Sequence, residues 1–98
     1  MPRKYADSEV TPVCRTLRAL SDPNRMRIVE HIARQDGLCA LDILEELSIS
    51  QPTLSHHMKA LVGCGLVKCL KDGRWRRYEI DREALDEFLG DLRASLTR

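Results

Sequence analysis

Only three residues, Ser48-Ile49-Ser50, separate two segments of helical periodicity, and this spacing constrains the fold more than any other feature of the chain. Before the gap, Leu41, Leu44 and Leu47 recur at the spacing of one helix face, which predicts a short helix over about residues 40–47 with those three leucines inward. After it, Leu54, Met58 and Leu61 share one side of a longer helix that reaches about Val62, where Gly63 and Gly65 break the pattern. Ser50 is suited to cap that helix. Pro52 stands near its start, where a missing N–H costs nothing. A short helix, a tight polar turn around one apolar anchor and a second helix make a helix-turn-helix.

The flanking segments complete the order. Val10, Val13, Cys14, Leu17 and Leu20 predict a first amphipathic helix over residues 8–20. Ser21-Asp22-Pro23 stops it and restarts the chain, with Asp22 as N-cap and Pro23 in the first helical position. The second helix runs to about Gln35, with Met26, Ile28, Val29, Ile32 and Ala33 on its apolar side and Gly37 ending it. Beyond Gly65, the runs 66–70 and 75–80 read as strands joined by Lys71-Asp72-Gly73-Arg74, and Asp-Gly between such runs is a strong hairpin signal. Leu85, Phe88, Leu89, Leu92 and Leu96 define a last helix within 82–98. The expected fold is mainly α with a small β-hairpin: a winged helix-turn-helix with its helix pair at 40–62 and its wing at 66–80. At 98 residues the chain is too short for two cores, so one domain is expected across 1–98. The helices at 8–20 and 82–98 are the candidates for dimerisation.

The net charge of +1 excludes a simple polycation, but the charges are segregated. From Gln51 to Glu79, Lys59, Lys68, Lys71, Arg74, Arg76 and Arg77 face only Asp72 and Glu79, a balance of +4. From Asp81 to Arg98, five acids face three arginines, a balance of −2. The helix after the turn and the hairpin therefore form a basic segment that fits double-stranded DNA. On the outward side of that helix stand Ser55, His56 and Lys59, with Thr53 at the edge and Ser50 and Gln51 at the start. Their hydroxyl, amide, imidazole and ammonium groups suit phosphates or base edges. The hairpin adds Lys71, Arg74, Arg76 and Arg77. His57 falls on the inward flank, where packing and hydrogen bonding are expected of it, and Trp75 fits core, wing packing or a sugar contact equally.

No apolar run approaches the length of a membrane span, and Met1-Pro2-Arg3-Lys4-Tyr5-Ala6-Asp7 lacks the apolar stretch of a secretory signal. A cytoplasmic location and no membrane partner are expected, with Cys14, Cys39, Cys64 and Cys69 as reduced thiols. No phosphate-cradling glycine loop or nucleophile motif points to an enzyme.

Several segments together resemble the ArsR/SmtB family of small bacterial winged-helix repressors. They are Ala19-Leu20-Ser21-Asp22-Pro23-Asn24-Arg25-Met26-Arg27-Ile28, the run from Leu47 to Lys59 (Leu-Ser-Ile-Ser-Gln-Pro-Thr-Leu-Ser-His-His-Met-Lys), Gly65-Leu66-Val67 and Asp72-Gly73-Arg74. The resemblance spans roughly residues 16–80. It implies a homodimer built from the first and last helices, an inverted-repeat operator, and an inducer that disfavours the DNA-competent form. It also implies cysteine ligands for that inducer. Cys39 keeps the first thiol position of a family pattern at the start of the third helix, while Leu41 and Leu44 occupy the other two. Cys64 resembles a thiol position at the end of the recognition helix, where Ala60 replaces the companion. The family's histidine ligands on the last helix are absent. Cys69, five residues beyond Cys64, could approach it across the helix-to-strand bend, so Cys39, Cys64 and Cys69 are the candidate ligands. Cys14 ranks behind them because it shares an apolar helix face, where a buried structural role is expected. Thiolates favour arsenite, antimonite or a soft divalent metal, and no obligatory cofactor is expected. Thiol-redox control and a protein-interaction module without DNA binding are the alternatives.

Overall fold

The computed structural model describes residues 11–97, over which five helices and three strands alternate. Helix α1 (Pro12–Leu20) starts at Thr11, whose hydroxyl accepts the Cys14 N–H at 3.2 Å; residues 8–10 of the expected first helix lie outside the described residues. Helix α2 (Pro23–Arg34) is capped by the Asp22 carboxylate, which accepts from the N–H groups of Asn24 (2.8 Å) and Arg25 (3.3 Å). Gly37, at φ +88°, turns the chain out of α2 and donates its N–H to the Tyr78 carbonyl at 2.9 Å. Strand β1 (Leu38–Cys39), helix α3 (Ala40–Glu46) and helix α4 (Gln51–Gly63) follow. Then come β2 (Val67–Asp72), β3 (Trp75–Ile80) and α5 (Arg82–Leu96).

The wing is a three-stranded antiparallel sheet in the order β1-β3-β2, not a bare hairpin. The strand added to the hairpin, β1, is only two residues long and leaves no periodic trace in the sequence. The turn is also tighter than the four residues expected. Asp72 pairs with Trp75, so Gly73-Arg74 alone make the loop, with Gly73 at φ +62° in the first central position.

The core lies between α2, α3, α4 and the base of the wing. Ile28, Ile32, Ile43, Leu54 and Leu61 are fully buried, joined by Leu47, Met58, Val67 and Ile80. Burying one such side chain contributes roughly 1.5–3 kcal/mol. Leu54, Met58 and Leu61 are thus the keel of α4, and its other side is left to solvent.

Three expected faces are rotated. In α3 the buried residue is Ile43, four positions before Leu47; Leu41, about 200° round the helix from Ile43, is 57% exposed. In α2, Ile28 and Ile32 set the inward stripe, which leaves Met26 and Ala33 exposed. In α1 the buried side chains are the small Thr16 and Ala19, which let the helix approach its neighbours closely. Cys14 is therefore exposed in the protomer rather than buried, and Leu17 beside it is 42% exposed. Helix α5 packs on α1 yet buries no residue fully; Leu89 is 50% and Leu96 75% exposed.

Candidate nucleic-acid interface

With its keel fixed, α4 presents Gln51, Thr53, Ser55, His56 and Lys59 as exposed side chains. Ser50 is largely committed to the helix itself. Its Oγ accepts the Thr53 N–H at 3.3 Å and donates to Thr53 Oγ1 at 2.8 Å, which anchors the helix start where free N–H groups face solvent.

His57 faces inward and is 6% exposed. Its Nδ1 accepts from Arg25 Nε at 3.0 Å, so the first turn of α2 grips the middle of α4. Asp22 belongs to the same joint. Desolvation pushes its carboxyl up, but the Arg25 and Asn24 N–H groups, with the positive charge of the Arg25 guanidinium, hold it below its ordinary value. The role of Arg25 was not legible in the sequence, since a contact across 32 residues has no local signature.

The wing divides its side chains by alternation. Val67, Cys69 and Lys71 of β2 share a face with Ile80, Tyr78 and Arg76 of β3; Leu70 and Arg77 lie on the other face. Lys71 and Arg76 are direct cross-strand partners, and like charges so placed destabilise a sheet. Such a pair is stabilised when an anion lies against it. Arg74 projects from the exposed loop, and Trp75 is 48% exposed, which removes it from the core.

Arg77 differs from the other wing cations. It is half-buried, with Nε donating to Asp72 Oδ2 and Nη1 to the Gly37 carbonyl, both at 3.1 Å. It braces the wing against the connection after α2. Lys68 pairs with Glu79 at 3.3 Å. Among the described residues, no ion pair occupies Lys59, Lys71, Arg74 or Arg76.

Between α4 and the wing lies a cleft of about 400 Å³ lined by Ser55, Met58, Lys59, Cys69, Arg76 and Tyr78. Burial raises the Tyr78 phenol above its ordinary value, and the neighbouring Cys69 adds to the effect. The strand alternation Arg76, Tyr78, Ile80 signals this face in the sequence; the position of Cys69 beside it follows only from the register.

The thiols do not gather within one protomer. Cys39 pairs with Arg77 across β1 and β3, whereas Cys69 pairs with Tyr78 across β2 and β3. They therefore point to opposite faces of the sheet, with β3 between them and their strands roughly 10 Å apart. Cys39 Sγ donates to Asp42 Oδ2 at 3.1 Å, and its N–H donates to the same oxygen at 2.9 Å. Both bonds hold the Asp42 carboxyl below its ordinary value, the N–H more strongly. Cys64 caps α4, donates to the Leu61 carbonyl at 3.3 Å and borders a groove between α1 and α5. Cys69 lines the cleft on the other side of α4. Among the described residues no group of three His, Cys, Asp or Glu side chains is placed to hold a metal. A three-thiol site made of Cys39, Cys64 and Cys69 therefore does not fit one protomer. No helix of the described residues is long and apolar enough to cross a membrane.

Comparison with known proteins agrees with this geometry. A helix-turn-helix domain family matches residues 20–69. The arsenical resistance operon repressor of Staphylococcus xylosus is 47% identical over 70 residues, which cover 71% of this chain and 66% of that protein. Its Staphylococcus aureus counterpart is 43% identical over 76 residues, 78% of this chain and 72% of that one. Among solved structures, an ArsR-like transcriptional regulator from Rhodococcus sp. RHA1 superposes with a TM-score of 0.76 at 30% identity, covering 85% of this chain and 77% of that one.

Proposed function

Because the chain belongs to the ArsR/SmtB family of winged helix-turn-helix transcriptional regulators, not enzymes, we propose that it is a dimeric DNA-binding repressor released by a thiophilic inducer. The observation that carries the DNA reading is the shared outward surface of α4 and the wing. Ser55 and Lys59 of α4 border the same cleft as Arg76 of the wing, and among the described residues Lys59, Lys71, Arg74 and Arg76 are exposed and engaged in no ion pair. Residues 40–62 act as the helix-turn-helix and 66–80 as the wing. In this reading Gln51, Thr53, Ser55 and His56 meet base edges or phosphates, and Ser50 orders the helix start that approaches the backbone. Lys59 and the wing cations neutralise phosphates, while Arg77 keeps the wing in position.

The outward apolar residues of α1 and α5, Leu17, Leu89 and Leu96, support dimerisation through the segments 8–20 and 82–98. A two-fold dimer presents two copies of α4 to successive major grooves, which calls for an inverted-repeat operator. The arsenical resistance repressors among the relatives support arsenite as inducer; thiolate chemistry extends the reading to antimonite or a soft divalent ion, met in the cytoplasm. The separation of the thiols within one protomer favours a ligand set completed by a second copy. Such an inducer weakens DNA binding, and by linkage DNA weakens inducer binding by the same factor, typically about 5–150-fold.

The test is fluorescence anisotropy with DNA from the upstream region of the chain's own gene, at several salt concentrations, with and without arsenite, antimonite or cadmium. Salt-sensitive binding lost on adding one of these ions is expected. Folded, reduced protein that ignores DNA at low salt would overturn the DNA reading. Binding that survives every thiophilic ion would overturn the inducer reading.

A further inference from the structure

The three half-buried thiols have different electrostatic surroundings. Cys39 sits against Asp42 on a helix that also carries Glu45 and Glu46. Cys64 turns its S–H to the Leu61 carbonyl and borders two grooves, one containing Glu87 and Asp91 and the other Arg15, Arg18 and Arg25, and neither lies against the wing. Cys69 lies in the cleft between α4 and the wing, lined by Lys59 and Arg76 with the hydroxyls of Ser55 and Tyr78 and by no acid. At about 400 Å³ the cleft falls in the size range of small-molecule sites, roughly 300–1,000 Å³.

We propose that this cleft is a binding and exchange site for small anionic disulfides, with Cys69 as the modified thiol. The carboxylates of a low-mass peptide disulfide pair with Lys59 and Arg76, which brings its S–S bond to Cys69. The deprotonated Cys69 Sγ attacks one sulfur; the Cys69–S–SR bond forms, the RS–SR bond breaks, and the other half leaves as a thiolate that takes up a proton. The disulfide is the oxidant, and a reductant reverses the step. The adduct leaves a bulky anion between Lys59 and Arg76, on the surface assigned above to DNA. Modification therefore competes with DNA directly, by charge and by volume. This consequence rests on the DNA-binding reading; the exchange chemistry does not.

The experiment uses the full chain, a Cys69→Ser variant, and a variant with Cys14, Cys39 and Cys64 replaced by Ala. Each is treated with oxidised glutathione or, for contrast, with the cationic disulfide cystamine. Adducts are located by intact mass and peptide mapping, and DNA affinity is read by anisotropy. Relative to an unstructured cysteine peptide, Cys69 is expected to react several-fold faster with oxidised glutathione than with cystamine. Glutathione modification should lower DNA affinity at least about tenfold, with recovery on reduction, and Cys69→Ser should keep its affinity throughout. Equal reactivity toward the two disulfides, or a glutathione adduct at Cys69 that leaves affinity intact, would overturn the proposal. If the triple variant fails to fold, peptide mapping of the full chain supplies the same rate comparison. Should unmodified protein bind no DNA, the function proposed above fails while the reactivity comparison still decides the exchange site.

Discussion

Removing the His57 imidazole is expected to loosen the joint that fixes the recognition helix, and the size of the effect follows from its surroundings. The ring is 6% exposed and accepts a hydrogen bond from a guanidinium at 3.0 Å. A hydrogen bond to a charged group contributes about 1.5–3 kcal/mol, and losing the packed ring adds to that, so His57→Ala should destabilise by about 3 kcal/mol. Arg25→Ala removes the same hydrogen bond and leaves the buried Nδ1 without its donor, but it takes away less packing because Arg25 is half-buried, so it should cost about 1.5–3 kcal/mol. The double variant should then fall short of the sum by a coupling of about 1–2 kcal/mol. Urea unfolding at one fixed protomer concentration gives all four corners of the cycle, because the apparent stability of a dimer depends on concentration. Operator affinity should fall in both single variants, since each frees α4 from α2 without removing a side chain from its outward face. A coupling below about 0.5 kcal/mol would refute the joint and reduce the Arg25–His57 contact to a bystander.

Four further outcomes are expected. Lys59→Ala should reduce the steepness of the log affinity against log salt plot by about 0.9 if the ammonium neutralises one phosphate; an unchanged slope would remove Lys59 from the backbone contacts. The Asp42 carboxyl is held below its ordinary value of 3.8, so its contribution to stability is complete above that value and fades as pH falls through the depressed one. Urea midpoints of the native protein and Asp42→Asn should accordingly differ at neutral pH and converge in acid. Gly73→Ala forces an L side chain into φ +62° and should lower stability by about 1 kcal/mol, read as a shifted thermal midpoint. Leu89→Arg, on the half-exposed side of α5, should convert dimer to monomer in sedimentation velocity while circular dichroism keeps its helical signature.

What the sequence made legible is what local chemistry encodes. Asp22-Pro23, Ser50 with Pro52, and Asp72-Gly73 marked the starts of α2 and α4 and the wing turn, because caps, prolines and positive-φ glycines act within four residues. The inward side of α4 was equally readable, since thirteen residues give the 3.6-residue period room to repeat. Over the seven residues of α3 it was readable only in part: Leu44 and Leu47 pack on the core as their spacing indicates, but Leu41 lies outward and Ile43 takes the fully buried place. Strand β1 escaped for a related reason, being held by β3 rather than by any preference of Leu38 and Cys39. Among the interface residues, charge type was readable and commitment was not. Arg76 and Arg77 look alike in sequence, yet only the pairing of Cys39 with Arg77 and the nearby Gly37 carbonyl show that the second braces the fold. Cys64 and Cys69 line different cavities, the α1–α5 groove and the wing cleft, and no local pattern in the sequence signals that division.

The hairpin is buried only at its root, where Val67 and Ile80 face each other across β2 and β3. From Leu70 to Arg76 every side chain is exposed. The tip is thus free to drift. Its length and charge can change while the core keeps its packing, with Gly73 as the one position there restricted by backbone geometry. A chain organised in this way can acquire a different preference for flanking DNA at little cost in stability. The inward face of α4 has no such latitude, because each of its apolar side chains also holds the fold together.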